Sequence, residues 1–117
     1  MGHSWVEIEV SSLERKKTVK LKALVDTGAT LTVLPEKIAK EIGIEPVSEE
    51  KVMTGAGMVK VKRGRAWIRL KDKEGPFDVW ISDFIDRVLL GVVVLETLGF
   101  EVDPATGTLK ERPLLLY

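Results

Sequence analysis

The chain has 117 residues, with 18 Lys and Arg against 18 Asp and Glu, no cysteine and a single histidine, His3. That length is expected to form one domain spanning residues 1–117, and the balanced charge provides no basic face, which argues against nucleic acid as a partner. The lack of cysteine excludes disulfides, thiol catalysis and thiolate metal sites, and one near-terminal histidine cannot build a nucleophilic triad or a zinc centre.

Along the chain the dominant period is two. Val6, Ile8 and Val10 alternate with Glu7 and Glu9, and Val19, Leu21, Ala23 and Val25 alternate with Lys20 and Lys22. This predicts two half-buried strands joined by the polar segment 11–17, the second buried on both faces near its end, where Leu24 breaks the alternation. Residues 23–35 read ALVDTGATLTVLP, an apolar run that meets a carboxylate and Thr-Gly-Ala-Thr before turning apolar again. Pro35 fits the first turn of a short helix reaching about Ile42, with Gly43 in the stopping position.

KVM and MVKVK flank the small-residue tip Thr54-Gly55-Ala56-Gly57 and read as a hairpin, followed by RAWIRL, a turn from Lys71 to Pro76, and FDVWI as two more strands. Gly91 and Gly99 bracket a second short helix from about Val92 to Leu98. FEVDPATGTLKER carries a hairpin signal, with residues 103–107 as its turn. The expected class is mainly β with one or two short helices, each helix following an apolar strand that ends near a glycine. Trp5, Trp67 and Trp80 are expected in the core or an interface, and Asp83 and Asp86 in a surface turn.

Asp26 poses the chemical question, because an ionised carboxylate drawn out of water is costly unless it is paired or hydrogen-bonded. One solution is local: Asp26 opens a turn and accepts a hydrogen bond from its own backbone. The other is symmetric. Two such carboxylates meeting at a two-fold axis cannot both ionise, so they share a proton and leave one base and one acid around a water. The sequence holds one Asp-Thr-Gly, so the second carboxylate would come from a second copy. A metal site at Asp26 lacks nearby ligands, and neither metal nor cofactor is expected.

ALVDTGATLTVLP resembles the active-site segment of retropepsin-like aspartic proteases, in which an apolar strand leads to Asp-Thr/Ser-Gly-Ala and a further apolar strand. The resemblance continues in order: KVMTGAGMVKV is similar to their glycine-rich flap hairpin, and VLLGVVVLETLGF to their apolar-apolar-Gly segment and helix. It covers roughly Val19 to Val102 and implies a closed β-barrel of the acid-protease fold, a homodimer, and a peptide or protein substrate. Residue by residue it implies that Asp26 is the catalytic carboxylate, that the Thr27 hydroxyl locks the two loops together across the dimer axis, and that Gly28 offers backbone to the substrate. Ala29 and Thr30 would line the floor, while Thr54, Gly55, Ala56 and Gly57 would bind substrate from the flap tip. Leu89, Leu90 and Gly91 would support the catalytic loop.

Two positions depart from the retroviral pattern: Thr30 and Val92 stand where an acidic residue and an arginine commonly pair. The hairpin from Phe100 to Arg112 and the apolar tail Pro113 to Tyr117 also extend beyond the compact viral form. The competing function on the same barrel is a noncatalytic dimerisation or peptide-binding module. No stretch has the length needed to cross a bilayer, and the N-terminus lacks a basic segment followed by a long apolar run, so a cytoplasmic protein without a membrane partner is expected. Asn and Gln are absent and 31% of residues are charged, a composition found in heat-adapted proteins.

Overall fold

In the computed structural model, residues 4–114 are described. His3 and the last residues of the apolar tail lie outside them. The elements run β1 (Trp5–Ser11), β2 (Thr18–Val25), β3 (Thr32–Pro35), α1 (Glu36–Ile42), β4 (Ser48–Thr54), β5 (Gly57–Leu70), β6 (Lys73–Ser82), β7 (Val88–Leu90), α2 (Val92–Leu98), β8 (Phe100–Val102) and β9 (Leu109–Glu111).

The period-two segments close on themselves. Strand order is β1-β2-β7-β3-β6-β5, and β5 pairs back onto β1 through Ile8↔Leu70 to Ser11↔Trp67, which makes a six-stranded barrel with β4 attached outside it along β5. Closure pairs β1 with β5 and leaves β4 as the outer strand of the sheet. The inward members of the alternations, including Ile8, Val10, Ala23, Ile68, Leu70, Val79 and Ile81, form the core together with Val94, Leu95 and Leu98 of α2 and Phe100. β8 and β9 form a separate two-stranded hairpin.

Both helices stop where glycine permits a left-handed backbone. Gly43 has φ 80° and Gly99 φ 78°, and the Gly43 and Ile44 amides donate to the Lys40 and Ala39 carbonyls, satisfying the last turn of α1. Pro35, at φ −59°, precedes α1. Its ring pre-sets the entry to the helix.

The central strands differ from expectation in two ways. MVKVK and RAWIRL are one strand of 14 residues, β5, running through Gly64. A Cβ there would come within 3.1 Å of Ile44 Cγ2 and 3.3 Å of Ile81 Cδ1, so this glycine serves close packing rather than a break. The turn expected over Lys71 to Pro76 shrinks to Lys71 and Asp72, with Leu70 paired to Lys73 and Lys71 at φ 57°. Pro76 is accommodated because β6 pairs with β3 over Val79–Ser82, leaving β5 as its neighbour at the proline.

The three tryptophans lie outside the core. Trp5 is 51% exposed. Trp67 is half-buried, covered by the Arg15 guanidinium 4.6 Å from its ring and donating to Glu74 Oε1 at 2.8 Å. Among the described residues no helix is long and apolar enough to cross a membrane.

Candidate active site

The loop after β2 is held in place by β7 and the start of α2. β7 lies between β2 and β3, parallel to the first (Val25↔Leu90) and antiparallel to the second (Val33↔Leu89). The Asp26 amide donates to the Leu90 carbonyl at 3.0 Å, and the amides of Val92 and Val93 donate to the carbonyls of Ala29 and Thr30 at 2.8 and 3.1 Å. The buried Thr32 hydroxyl accepts from the Gly91 amide at 3.0 Å. Gly91 is obligatory by contact: a Cβ would fall 2.4 Å from the Leu31 carbonyl carbon and 2.8 Å from the Thr32 nitrogen. Backbone hydrogen bonds thus join the two segments at Thr30 and Val92, where retroviral members commonly carry a charged pair.

Within this frame Asp26 is half-buried. Its Oδ1 accepts from the Gly28 amide at 3.0 Å, and the Ala29 amide donates to the Asp26 carbonyl at 3.1 Å. The local turn is therefore present within one chain, and it leaves the carboxylate directed by the glycine amide beside it. Among the described residues no group of three His, Cys, Asp or Glu side chains gathers into a metal-binding cluster.

The hairpin of β4 and β5 supplies the other side of the site. Its strands pair from Ser48↔Arg63 to Thr54↔Gly57, leaving Gly55-Ala56 at the tip. Thr54 shapes that tip, donating through Oγ1 to the Gly57 carbonyl at 2.8 Å and accepting from the Ala56 amide at 3.1 Å. Gly57, at φ 106°, occupies backbone space that side chains disfavour.

Loop and hairpin enclose an open groove of about 700 Å³. Of the residues expected at the site, Asp26, Gly28, Ala29, Thr30, Thr54 and Gly55 line it, while Thr27, Ala56 and Gly57 do not. Thr27 and Ala56 are exposed. Most of the walls lie outside the residues expected at the site: Val33, Val52, Met53, Val59, Val61, Trp80, Ser82, Phe84 and Ile85 also line the groove, as does Leu89, which was expected only to support the loop. The alternation of Val59 and Val61 with Lys60 and Lys62 was the available signal for one wall. Phe84, 56% exposed between Asp83 and Asp86, was another, since a large apolar side chain in a polar loop asks for a use.

Among the described residues Asp26 is the one charged residue lining the groove. Beside it, ion pairs brace Trp80. Arg63 donates through Nη1 to Glu50 Oε1 at 3.0 Å and through Nε and Nη2 to Asp78 Oδ2 at 3.0 and 2.6 Å. Arg65 Nε lies 2.9 Å from Asp78 Oδ1. The hydrogen bond from Trp80 holds the Glu50 carboxyl below the usual range, with Arg63 adding to the effect. The hydrogen bond from Arg63 does the same for Asp78.

The family described as "gag-polyprotein putative aspartyl protease" matches residues 15–97, most of the chain. Among solved structures, the chain is similar to EIAV protease complexed with the inhibitor HBY-793, with a TM-score of 0.70 and 18% identity over 83% of this chain and 88% of that one. It is similar to a retropepsin-like aspartic protease from Rickettsia conorii, with a TM-score of 0.63 and 25% identity over 87% of this chain and 77% of that one. The protease of Simian Foamy Virus (mac) gives a TM-score of 0.54 and 26% identity, over 75% and 87% respectively. No curated protein matches the chain. With the closed barrel, the braced Asp-Thr-Gly loop and the family match spanning both halves of that brace, the chain belongs to the retropepsin-like aspartic proteases.

Proposed function

We propose that two copies of this chain form one aspartic endopeptidase, in which the two Asp26 carboxylates meet at the symmetry axis and activate a water against a peptide bond. The observation that carries this reading is the position of Asp26: it shares an open, otherwise uncharged groove with Thr54 and Gly55 of the hairpin tip. One Asp-Thr-Gly per chain supports the need for a second copy.

In the proposed reaction an extended peptide lies along the groove, held by strand-like backbone hydrogen bonds and by the apolar walls. The ionised Asp26 takes a proton from water as the oxygen attacks the carbonyl carbon, and the protonated Asp26 of the other copy donates to the carbonyl oxygen. In the collapse of the resulting diol one carboxyl protonates the departing nitrogen as the C–N bond breaks and the other carboxylate takes a proton back from a diol hydroxyl, so peptide and water become an acid and an amine and the dyad again holds one proton. Thr27, exposed beside Asp26, is assigned to the contact between copies. Gly55, Ala56 and Gly57 are assigned to closure over the substrate.

A library of unstructured peptides, incubated with the purified protein across pH and temperature, tests the reading. Cleavage on the acidic side of neutrality is expected, with loss in Asp26→Asn. Peptide bound but never cut, with Asp26→Asn binding equally well, would instead identify a noncatalytic peptide-binding module.

A further inference from the structure

We propose that Glu50 is a positioning residue for the groove: through one carboxylate oxygen it fixes the Trp80 indole as a wall and ties the hairpin of β4 and β5 to the barrel. The proposal rests on the groove being the peptide site, as read above.

β4 borders a single strand, β5, and stands outside the closed ring. Its backbone ladder therefore cannot control how the hairpin leans relative to β6, two strands away. Glu50 spans that distance. Its Oε1 accepts from Trp80 Nε1 on β6 at 2.5 Å and from Arg63 Nη1 on β5 at 3.0 Å. Trp80 stands directly opposite Arg63 in the β5–β6 register and lines the groove with Val33 and Val61. Indole has one donor, so a single hydrogen bond to an ionised acceptor restricts its ring orientation, and charge assistance strengthens that restraint.

Arg63 is in turn held from the other side by Asp78, whose second oxygen is engaged by Arg65. Two carboxylates face two guanidinium groups, so the cluster brings no net charge to the groove. Its effect is placement of the wall and the hairpin rather than attraction of a charged substrate. A hairpin that must open for peptide entry and close over it needs a hinge with defined stops. Glu50 supplies the stop on the Trp80 side.

The test compares Glu50→Ala, Glu50→Gln, Trp80→Phe and the Glu50→Ala/Trp80→Phe double variant with the parent protein. Cleavage kinetics on an apolar peptide, amide hydrogen exchange across residues 48–59, and thermal unfolding are followed together. Glu50→Ala and Trp80→Phe are each expected to raise KM on the order of tenfold, the size of one lost charge-assisted hydrogen bond, with a smaller change in kcat. Both should speed exchange at the hairpin. The double variant should be no worse than the poorer single variant, because both remove the same link. Glu50→Gln should recover most of the loss, since its amide oxygen still accepts from the indole.

Additive effects, or a lowered melting temperature with KM and hairpin exchange unchanged, would overturn the proposal and leave a merely structural ion pair. Absence of cleavage by the parent protein would count against the peptidase reading, while hydrogen exchange would still decide on the link. Faster exchange in both single variants supports it, and unchanged exchange removes it.

Discussion

The segments around Gly28 and Gly91 are built on one plan and meet opposite surroundings. In each, an apolar strand runs to a glycine and a short helix follows, β2 leading through β3 to α1 and β7 leading directly to α2. Gly28 is exposed, and a Cβ there would meet the tip of Asp26 at 3.2 Å. Gly91 is buried against the backbone of Leu31 and Thr32. The second segment is the scaffold from which the first is hung, since the Asp26 amide and the Ala29 and Thr30 carbonyls all bond to residues 90–93. The lesson is a division of labour: one glycine leaves room for the carboxylate that its amide holds, and the other lets two backbones approach until no side chain fits.

Substitutions can break that comparison or sharpen it. The largest effect is expected from Asp26→Asn, which should lower kcat by roughly 10²–10⁴-fold while leaving the melting temperature nearly unchanged. The Asn oxygen can still accept from the Gly28 amide, so the turn survives and the acid-base chemistry does not. Next comes Gly91→Ala, which should cost about 1–3 kcal/mol or more in denaturant unfolding and lower activity with it, because backbone rather than a flexible side chain would have to move. Gly28→Ala should be clearly milder, and the reverse order would contradict the division drawn above.

A smaller effect is expected with pH. Glu50 and Asp78 are held below their ordinary values in the folded chain. Their contribution to stability is therefore complete above the unfolded carboxylate range, about pH 4, and is lost as pH falls through the still lower folded values. Unfolding midpoints should decline more steeply below about pH 4 in the parent than in Asp78→Asn, and added salt should weaken the difference because the groups are half-buried and still reached by solvent. The smallest effect is expected at Gly55 of the hairpin tip. Gly55→Ala meets nothing within 4 Å among the described residues and should shift stability by less than about 0.5 kcal/mol. Gly57→Ala, at φ 106°, should cost about 1–2 kcal/mol, separating the two glycines by thermal unfolding.

Much of the barrel was legible because its signals are local. Alternating Val, Ile and Leu marked the inward faces of β1 and β2, and Gly91 and Gly99 bracketed α2 at Val92–Leu98. Glycine is uninformative where its reason lies elsewhere in the fold: MVKVK and RAWIRL read as two strands, yet Gly64 between them is crowded by Ile44 and Ile81, which are distant in sequence. Gly75-Pro76 looked like a turn because nothing local tells that β3 stops short of it.

The same limit applies to the groove. Asp26 could be picked out by residue type, and Thr54 and Gly55 by the resemblance of their hairpin to a flap, whereas Trp80 reaches the groove through the β3–β6 and β5–β6 registers. Its indole also depends on Glu50, 30 residues away. Period two assigns a residue to a face, but a closed barrel with an added outer strand has more than one surface to offer that face.

The proposed sharing of one site by two copies is tested most directly by sedimentation of the protein with a peptide whose scissile amide is replaced by a hydroxyl-bearing isostere, reading mass and stoichiometry together. Two chains with one ligand is the expected complex, because one groove floor would be completed by both Asp26 carboxylates. One ligand on each separate chain would contradict it.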